Sequence, residues 1–219
     1  KKLIEEKAEN IQTELIEWRR KIHQNPELGF KEYQTSDFIA AKLNEFGIEY
    51  ERVCETGIVG LIKGNKAGKT LAIRADIDAL ALTEKNEVSY KSKNEGVMHA
   101  CGHDGHTAIL LGTAKVLNEM KEQIKGNIKL IFQPAEEGPG GAKPMLEAGV
   151  LEDPSVDFIL GLHINPGIES GKVGLKEGRI QAAPDYFEIK IKGKGGHGAR
   201  PNEAIDSITI GSQIVIGIQ

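Results

Sequence analysis

Side chains that bind metals are concentrated at residues 98–106, which read M-H-A-C-G-H-D-G-H. The stretch holds three of the chain's 6 histidines and one of its 2 cysteines. Thiolate and imidazole groups are ordinary ligands of zinc and related transition metals. Cys101 and His103 would diverge on a regular helix, but a turn can bring them together, and Gly102 and Gly105 permit such a turn. The spacing therefore indicates part of a metal site.

Polar residues also stand at the carboxyl ends of predicted strands. Asp76 and Asp78 follow TLAIRAD, the pair Glu136 and Glu137 follows IKLIFQ, and His163 follows FILGL. In open α/β sheets, ligands bind in the crevice beyond the carboxyl ends of the strands. We therefore expect these side chains to lie close to the 98–106 stretch.

The adjacent glutamates favour metal-assisted hydrolysis. One carboxylate can bind a metal while its neighbour takes a proton from water and passes it to a leaving amine. Each residue also has a plainer interpretation: a buried thiol, a core histidine, a solvated acidic pair or a turn cap. A nucleophilic thiol at Cys101 with a histidine base is the competing chemistry. That chemistry leaves the glutamate pair and His163 without a role.

A second unusual stretch, G-K-G-G-H-G-A-R-P, covers residues 193–201. His197 stands between glycines, which is typical of a turn rather than of a core. It is either an exposed turn histidine or a donor to a developing oxyanion or to a substrate carboxylate. Arg200 and Asn202 lie close by in sequence and are candidates for binding the same substrate.

Hydrophobic periodicity predicts the elements that position these residues. An amphipathic helix opens the chain, N-P-E-L-G at 25–29 ends it, and a second helix covers Thr35–Phe46. Strands are predicted for IEYERV, GIVGLIKG, TLAIRAD, IKLIFQ and VDFILGLHINP, the last one as a buried strand. TAILLGTAKVLNEM and the end of PAEEGPGGAKPMLEAGV are helical. Short apolar runs alternating with helices predict an α/β domain with a mostly parallel sheet.

The pattern changes after about residue 182. DYFEIKIKGKG alternates apolar and polar residues, which predicts a strand with one solvated face, and EAIDSITIGSQIVIGI reads as a helix. This strand and helix cannot bury their apolar faces alone. We therefore expect residues 1–182 to form the α/β domain and residues 183–219 to begin a second domain that the chain does not complete.

Bulk composition excludes several classes of protein. Of the 219 residues 39% are hydrophobic and 27% charged, with a net charge of −4, as in a globular protein without the basic surface that nucleic acid requires. No apolar run is long enough to span a bilayer, so no membrane partner is expected. Two cysteines do not make a disulfide framework, and a reducing cytoplasm is the expected location.

Six stretches, taken together and in order, point to a known family. They are RRKIHQNPELGF, RADIDAL, MHACGHDGHTA, FQPAEEGPGGA, GLHINP and GKGGHGARP. With these motifs the chain resembles the amidohydrolase branch of the metallo-aminoacylase and carboxypeptidase family. Members include hippurate hydrolase, N-acyl-amino-acid amidohydrolases and N-acetyldiaminopimelate deacetylases. The match spans nearly the whole chain.

The resemblance implies a metal-dependent amidohydrolase that cleaves N-acyl amino acids, which are small-molecule substrates. It implies a catalytic α/β domain with two divalent metal ions (Mn, Zn, Co or Ni). It also implies an inserted ferredoxin-like α+β lid domain, which often forms a dimer surface, so a homodimer or larger assembly is expected. Only the start of such a lid would lie within this chain.

The resemblance also implies roles for individual residues. The expected metal ligands are Cys101 (between the metals), His103, Glu137 and His163. Glu136 is expected to be the general base and acid, Asp78 and Asp76 to orient a ligand or water, and His197 to hold the scissile carbonyl. His99 and His106 match no ligand, so each is expected either to have a structural place or to support a ligand from behind, and Asp104 is expected to form a turn or cap the helix.

The chain departs from the family pattern in two places. Ala81 stands where the family usually has proline after RADIDAL. The family's last metal-binding histidine lies near its C-terminus and has no counterpart before Gln219. We therefore expect a fragment of a longer protein, and the alternative function is a non-catalytic module that binds metal or acyl amino acids.

Overall fold

The computed structural model describes residues 2–138, 140–182 and 187–219. The chain divides into two compact units, Lys1–Gly167 and Ile168–Gln219. The domain boundary predicted between residues 182 and 183 lies next to residues 183–186, which the structure does not describe. This boundary therefore stays a prediction. Within the described residues, no helix is both long and apolar enough to cross a membrane.

A five-stranded mixed sheet forms the centre of the first unit. Its strands are β1 (Glu49–Val53), β2 (Gly57–Lys63), β3 (Lys66–Asp76), β4 (Lys125–Gln133) and β5 (Phe158–Gly161), in the order β1-β2-β4-β3-β5. β3 pairs in parallel with both β4 and β5, whereas β2 is antiparallel to both of its neighbours. Every strand except β2 therefore runs in one direction, which confirms the predicted mostly parallel α/β sheet.

Helices pack on both faces of the sheet. They are α1 (Lys2–Asn10), α2 (Gln12–Gln24), α3 (Tyr33–Glu45), α4 (His103–Glu119) and α5 (Ala142–Glu147). Ile58 and Leu130 belong to one buried cluster with α2, α3 and α4, while their strand neighbours Val59 and Ile131 join Met145 of α5 in another. Successive side chains of a strand point to opposite faces, so this alternation buries β2 and β4 on both faces of the sheet.

Two sequence predictions for the first unit are wrong in detail. The opening helix is interrupted at Ile11, so it forms α1 and α2. The segment VDFILGLHINP was expected to be a buried strand, but all of β5 is exposed, including Phe158 at 57% and Leu160 at 57%. β5 is an edge strand that pairs with β3 alone, and none of its residues belongs to either buried hydrophobic cluster, so its side chains lack a covering layer among the described residues.

The second unit contains one longer helix, α6 (Ser207–Ile218), as predicted. Asp206 caps it, because its Oδ1 accepts hydrogen bonds from the N–H groups of Ile208 and Thr209. The strand predicted at 185–195 falls partly outside the described residues, and over 187–195 it is wrong. Only an isolated bridge between Lys194 and Ile205 forms there. A half-buried strand needs a covering layer, and no described residue of 168–219 is buried.

Candidate metal centre

A left-handed glycine sets the geometry of the 98–106 stretch. Gly102 has φ 92° and immediately precedes α4, whose first residue is His103. Residues other than glycine rarely adopt this backbone conformation without strain. The turn brings ligand atoms of Cys101, His103 and Glu137 within 4.8 Å of one another. The stretch was expected to lie in a loop before the helix, which is correct for Cys101, whereas His103 is already helical.

His103 is buried and its ring orientation is fixed. Nδ1 donates to the carbonyl oxygen of Asp78 at 3.0 Å, since a carbonyl can only accept, and it lies 3.1 Å from Asp78 Oδ1. Nε2 therefore points into the site, 3.7 Å from Glu137 Oε1. Burial acts to lower the pKa of His103, but the hydrogen bond to Asp78 and the charges of Asp76, Asp78 and Glu137 outweigh it and raise that pKa.

Asp78 links two of the expected ligands. One carboxylate oxygen faces His103 Nδ1, and the other accepts a hydrogen bond from the backbone N–H of Glu137 at 2.9 Å. Carboxylates that hold a ligating histidine in this way fix its tautomer and its orientation. Asp78 can thus orient His103 and Glu137, although it is not itself one of the clustered ligand residues.

The adjacent glutamates diverge in the loop after β4. Glu137 Oε1 is buried and has no hydrogen-bond partner among the described residues. The side chain of Glu136 is 42% exposed, and its Oε2 lies 3.9 Å from His103 Nε2. Burial, together with the charges of Asp76 and Glu137, raises the pKa of Glu136, although the charge of His103 acts against this. One carboxylate therefore points inward while the other can meet solvent.

His163 approaches from the third strand end. Its Nε2 lies 3.9 Å from Cys101 Sγ. The next residue, Ile164, donates its backbone N–H to His106 Nε2 at 2.9 Å, and His106 Nδ1 lies 2.6 Å from Asp76 Oδ1. Asp76, His103 and His106 also have ligand atoms within 4.8 Å of one another. Both ring nitrogens of His106 are already hydrogen-bonded, however, so it braces the segment that carries His163.

Asp76 sits behind the cluster as a charged support. Its Oδ2 accepts a hydrogen bond from Arg74 Nη1 at 2.7 Å. Burial alone would raise the pKa of Asp76, but the hydrogen bond from His106 and the charges of His103 and Arg74 outweigh it and lower the pKa. Asp76 therefore carries negative charge at the base of the site.

The donor set fits a divalent cation. Burial, and then the hydrogen bond and charge of the nearby Glu137, raise the pKa of the Cys101 thiol to about 12. A half-buried thiol, a buried imidazole nitrogen and a carboxylate oxygen thus lie close to one another. Arg74 is already paired with Asp76. A bound cation would neutralise this concentration of negative charge, and thiolate with imidazole and carboxylate suits zinc and neighbouring transition metals.

Asp104 was expected to form a turn or to cap the helix, but Gly102 holds the N-cap position of α4. Oδ1 of Asp104 has no hydrogen-bond partner among the described residues. Its Oδ2 lies 2.7 Å from His23 Nδ1 and 2.6 Å from Arg19 Nε. On its other side, His23 Nε2 lies 3.1 Å from Glu84 Oε1. This ion-paired network, which includes the residue that follows His103, was missed in the sequence, although Arg19 and His23 stand four residues apart on one face of α2.

His99 has a structural place, as expected. It is 4% exposed, and neither of its ring nitrogens has a hydrogen-bond partner in the described part of the chain. Burial lowers its pKa to about 4. His99 is therefore a neutral ring, and its centroid lies 6.4 Å from that of the His23 ring.

His197, Arg200 and Asn202 lie together in one loop of the second unit. His197 Nδ1 accepts the backbone N–H of Ala199 at 3.2 Å. Arg200 Nη1 lies 3.6 Å from Glu203 Oε1, and Asn202 belongs to the short 3-10 helix Pro201–Glu203. All three candidates are exposed, and the hydrogen bonds and ion pairs described for His197 and Arg200 join neighbours in sequence.

Comparison with known proteins establishes the family. Residues 72–214, more than half of the chain, match Peptidase family M20/M25/M40. The chain belongs to this family. This confirms the resemblance identified from the six motifs, and it places the candidate metal centre within a family of hydrolases.

Relatives in the family include hydrolases of amide bonds. The chain is 47% identical to N-acyl-L-amino acid amidohydrolase of Geobacillus stearothermophilus, over 100% of the chain and 59% of the relative. It is 52% identical to thermostable carboxypeptidase 2 of Saccharolobus solfataricus, over 97% of the chain and 56% of the relative. The chain therefore spans little more than half the length of these relatives.

A solved structure in the family is described as dinuclear. The Bacillus subtilis YXEP protein, a dinuclear metal binding peptidase of family M20, is 46% identical with a TM-score of 0.75. The alignment covers 78% of this chain and 48% of that protein. The fold around the candidate centre is therefore that of a metal-binding relative.

Proposed function

We propose that the protein is a metal-dependent amidohydrolase that cleaves the amide bond of N-acyl amino acids. The convergence of Cys101, His103 and Glu137 within 4.8 Å carries the proposal. Glu136 stands beside this cluster with an exposed carboxylate. Together they combine a metal-binding set with a free acid–base group, which is the minimum that metal-assisted hydrolysis requires.

The metal would be held by Cys101, His103, Glu137 and His163. We infer two divalent ions, of Mn, Zn, Co or Ni, because a relative of the same fold is a dinuclear peptidase. When bound, such ions acidify water and polarise a carbonyl group. Asp78 would keep His103 and Glu137 in their ligating orientations, since it contacts both.

Glu136 would act as general base and then as general acid. Its carboxylate takes a proton from the attacking water and returns it to the nitrogen of the leaving amino acid. The raised pKa of Glu136 suits both steps, because a base that must also donate works best with a pKa close to the working pH. His197 would donate to the scissile carbonyl oxygen, and Arg200 and Asn202 would bind the substrate carboxylate.

The substrate class follows from what the two relatives' names have in common. An N-acyl amino acid and the C-terminal end of a peptide both present an amide whose nitrogen belongs to an amino acid with a free carboxylate. A metal cluster with one base beside it would act on either. N-acyl amino acids are the proposed substrates, and C-terminal dipeptides are the matched comparison in the assay.

The test uses the longest natural chain that contains these 219 residues. Metal is removed by chelation and restored as Mn²⁺, Zn²⁺, Co²⁺ or Ni²⁺. Turnover is measured on acetyl, benzoyl and indoleacetyl amino acids, with dipeptides as the matched comparison. We expect turnover that disappears with the metal and returns with it. Metal-loaded protein that cleaves no member of the panel would favour a non-catalytic binding module. Activity that resists chelators but is lost on thiol alkylation would favour a cysteine hydrolase.

A further inference from the structure

Glu32 is a buried carboxylate that none of the proposed catalytic steps uses. It immediately precedes α3 and is 0% exposed. Its Oε1 accepts a hydrogen bond from the backbone N–H of Ala135 at 2.8 Å, and its Oε2 accepts one from the hydroxyl of Thr56 at 2.6 Å. The bond to Ala135 spans 103 residues of sequence. A buried carboxylate is costly unless it is hydrogen-bonded, so this contact defines where the loop after β4 can lie.

Ala135 holds an uncommon backbone conformation next to the proposed base. Its φ is 50°, in the left-handed region, which costs an alanine about 1–2 kcal/mol. Its carbonyl oxygen accepts the N–H groups of Gly140 and Gly141 at 3.1 and 2.9 Å. The residue is therefore fixed on both sides, through its N–H by Glu32 and through its carbonyl by the glycines.

Two carboxylates divide the support of the glutamate pair between them. Glu32 holds the residue before Glu136, and Asp78 holds the backbone N–H of the residue after it, Glu137. Glu137 thus has an anchor of its own, which also contacts His103. Loss of the Glu32 contact would free the Ala135–Glu136 side of the loop while the Asp78 contact remains.

We propose that Glu32 is a positioning residue for Glu136, acting through the left-handed backbone of Ala135. The inference rests on the proposed function only in assigning Glu136 as the base. It predicts that Glu32 affects turnover much more than metal binding. A 1 Å displacement of a reacting group can reduce the rate by about 100-fold.

The chemistry of the contact supplies a conservative variant. The Ala135 N–H needs an acceptor, and either a carboxylate or a side-chain amide oxygen supplies one. Glutamine at position 32 can keep that bond and turn its NH₂ towards Thr56 Oγ1. Alanine provides no acceptor, and aspartate is one methylene shorter and cannot span both partners.

The experiment compares Glu32→Ala, Glu32→Gln and Glu32→Asp in the longest natural chain. Measured quantities are kcat, KM, divalent-metal affinity and hydrogen exchange at individual amides. For Glu32→Ala we expect kcat to fall about 10- to 100-fold, with KM and metal affinity within about twofold. Exchange at the Ala135 amide should accelerate while exchange at the Glu137 amide does not. Glu32→Gln should restore most of kcat.

Several outcomes would overturn the proposal. One is a loss of metal affinity parallel to the loss of kcat, which would make Glu32 a general support of the fold. Another is unchanged kcat in Glu32→Ala. If Glu32→Ala does not fold, Glu32→Asp is compared with Glu32→Gln instead. We expect Glu32→Asp to have the lower kcat of the two at equal metal affinity. Equal kcat in these two variants would overturn the proposal.

Amide exchange separates this inference from the proposed function. If the wild-type chain turns over no substrate, or if Glu136→Gln stays active, the proposed function fails. The Glu32 contact is then judged by the exchange data in Glu32→Ala, or in Glu32→Asp if the alanine variant does not fold. Faster exchange confined to Ala135 and Glu136 supports the positioning role, whereas unchanged exchange refutes it.

Discussion

The two units of the chain present their candidate residues in opposite ways. In the first unit, Asp76, Asp78 and His103 are buried and joined by contacts between residues far apart in sequence. In the described part of the second unit, no residue is buried. The hydrogen bond of His197 there is to Ala199, two residues away. The first set is placed by the packed sheet and helices, whereas the second is placed by one loop.

This difference has a measurable consequence. Buried groups that hold one another contribute to metal affinity, turnover and stability together, since removing one leaves its partner unsatisfied. Exposed loop residues contribute little to stability, so they can affect catalysis alone.

The largest expected effect comes from the glutamate pair in the first unit. Glu136→Gln removes the proposed base and should lower kcat by about 10²- to 10⁴-fold while metal binding is retained. The matched variant Glu137→Gln should weaken metal binding itself, because its buried oxygen faces His103. Calorimetric metal titration beside turnover assays checks both. Equal loss of metal in the two variants would show that the carboxylates do not have separate roles.

A smaller effect is expected at Asp78, which touches both His103 and the Glu137 backbone. Asp78→Asn should reduce divalent-metal affinity by about 10- to 100-fold. The substitution replaces one carboxylate oxygen by an NH₂ group, which cannot accept a hydrogen bond from His103 Nδ1 or from the N–H of Glu137. The measurement is competition with a chromogenic chelator. Wild-type affinity in this variant would remove Asp78 from the set of orienting groups.

The His23 network should reveal itself in the pH dependence of stability. The hydrogen bond to Asp104, aided by Glu84, raises the pKa of His23 above its ordinary value of 6.5, although burial and Arg19 act against this. The stabilising contribution is therefore complete below pH 6.5 and is lost as pH rises through the raised pKa of the folded state. His23→Gln should cost about 1–3 kcal/mol in the free energy of unfolding at pH 6.

That cost should shrink towards pH 9, and urea unfolding at several pH values measures it. Lys21→Gln, an exposed cation on the same helix, is the control and should leave the pH dependence unchanged. A cost of His23→Gln that grew as pH rises would show that folding does not raise the pKa of His23.

The smallest effect on stability is expected in the second unit. His197→Gln should change the free energy of unfolding by less than about 0.5 kcal/mol, because the side chain is exposed. Metal affinity should stay at the wild-type value while kcat/KM falls. Thermal unfolding and metal titration test the contrast, and a loss of metal in this variant would contradict it.

The sequence predicted most elements of the first unit because local pattern determines them. Alternating apolar runs and helical periodicity located the strands and the helices α3 and α4 close to where they lie. The exposure of β5 could not be read from its apolar residues, since burial depends on which elements pack against the faces of a strand. The strand predicted in the second unit does not form for a related reason. An alternation of apolar and polar residues leads to a strand only where other elements cover its apolar face.

Candidate residues could be identified where they belong to sequence motifs, whereas contacts between residues far apart in sequence could not be predicted. Cys101, His103, Glu137 and His163 belong to recognisable motifs. The pairing of His23 with Asp104 joins residues 81 apart, and that of Glu32 with Ala135 joins residues 103 apart. Alanine at φ 50° carries no turn signal of its own, because glycine or asparagine usually occupies that conformation.

The central claim, that Cys101 is a metal ligand, is tested most directly by the absorption spectrum of the Co²⁺-loaded protein. A cobalt–thiolate bond gives a near-ultraviolet charge-transfer band. The chain has two cysteines, Cys54 and Cys101, and both are free, so each serves as the control for the other. We predict that the band is present in the wild type and in Cys54→Ser and absent in Cys101→Ser. A band that survives in Cys101→Ser, or wild-type protein that binds cobalt without the band, would contradict the claim.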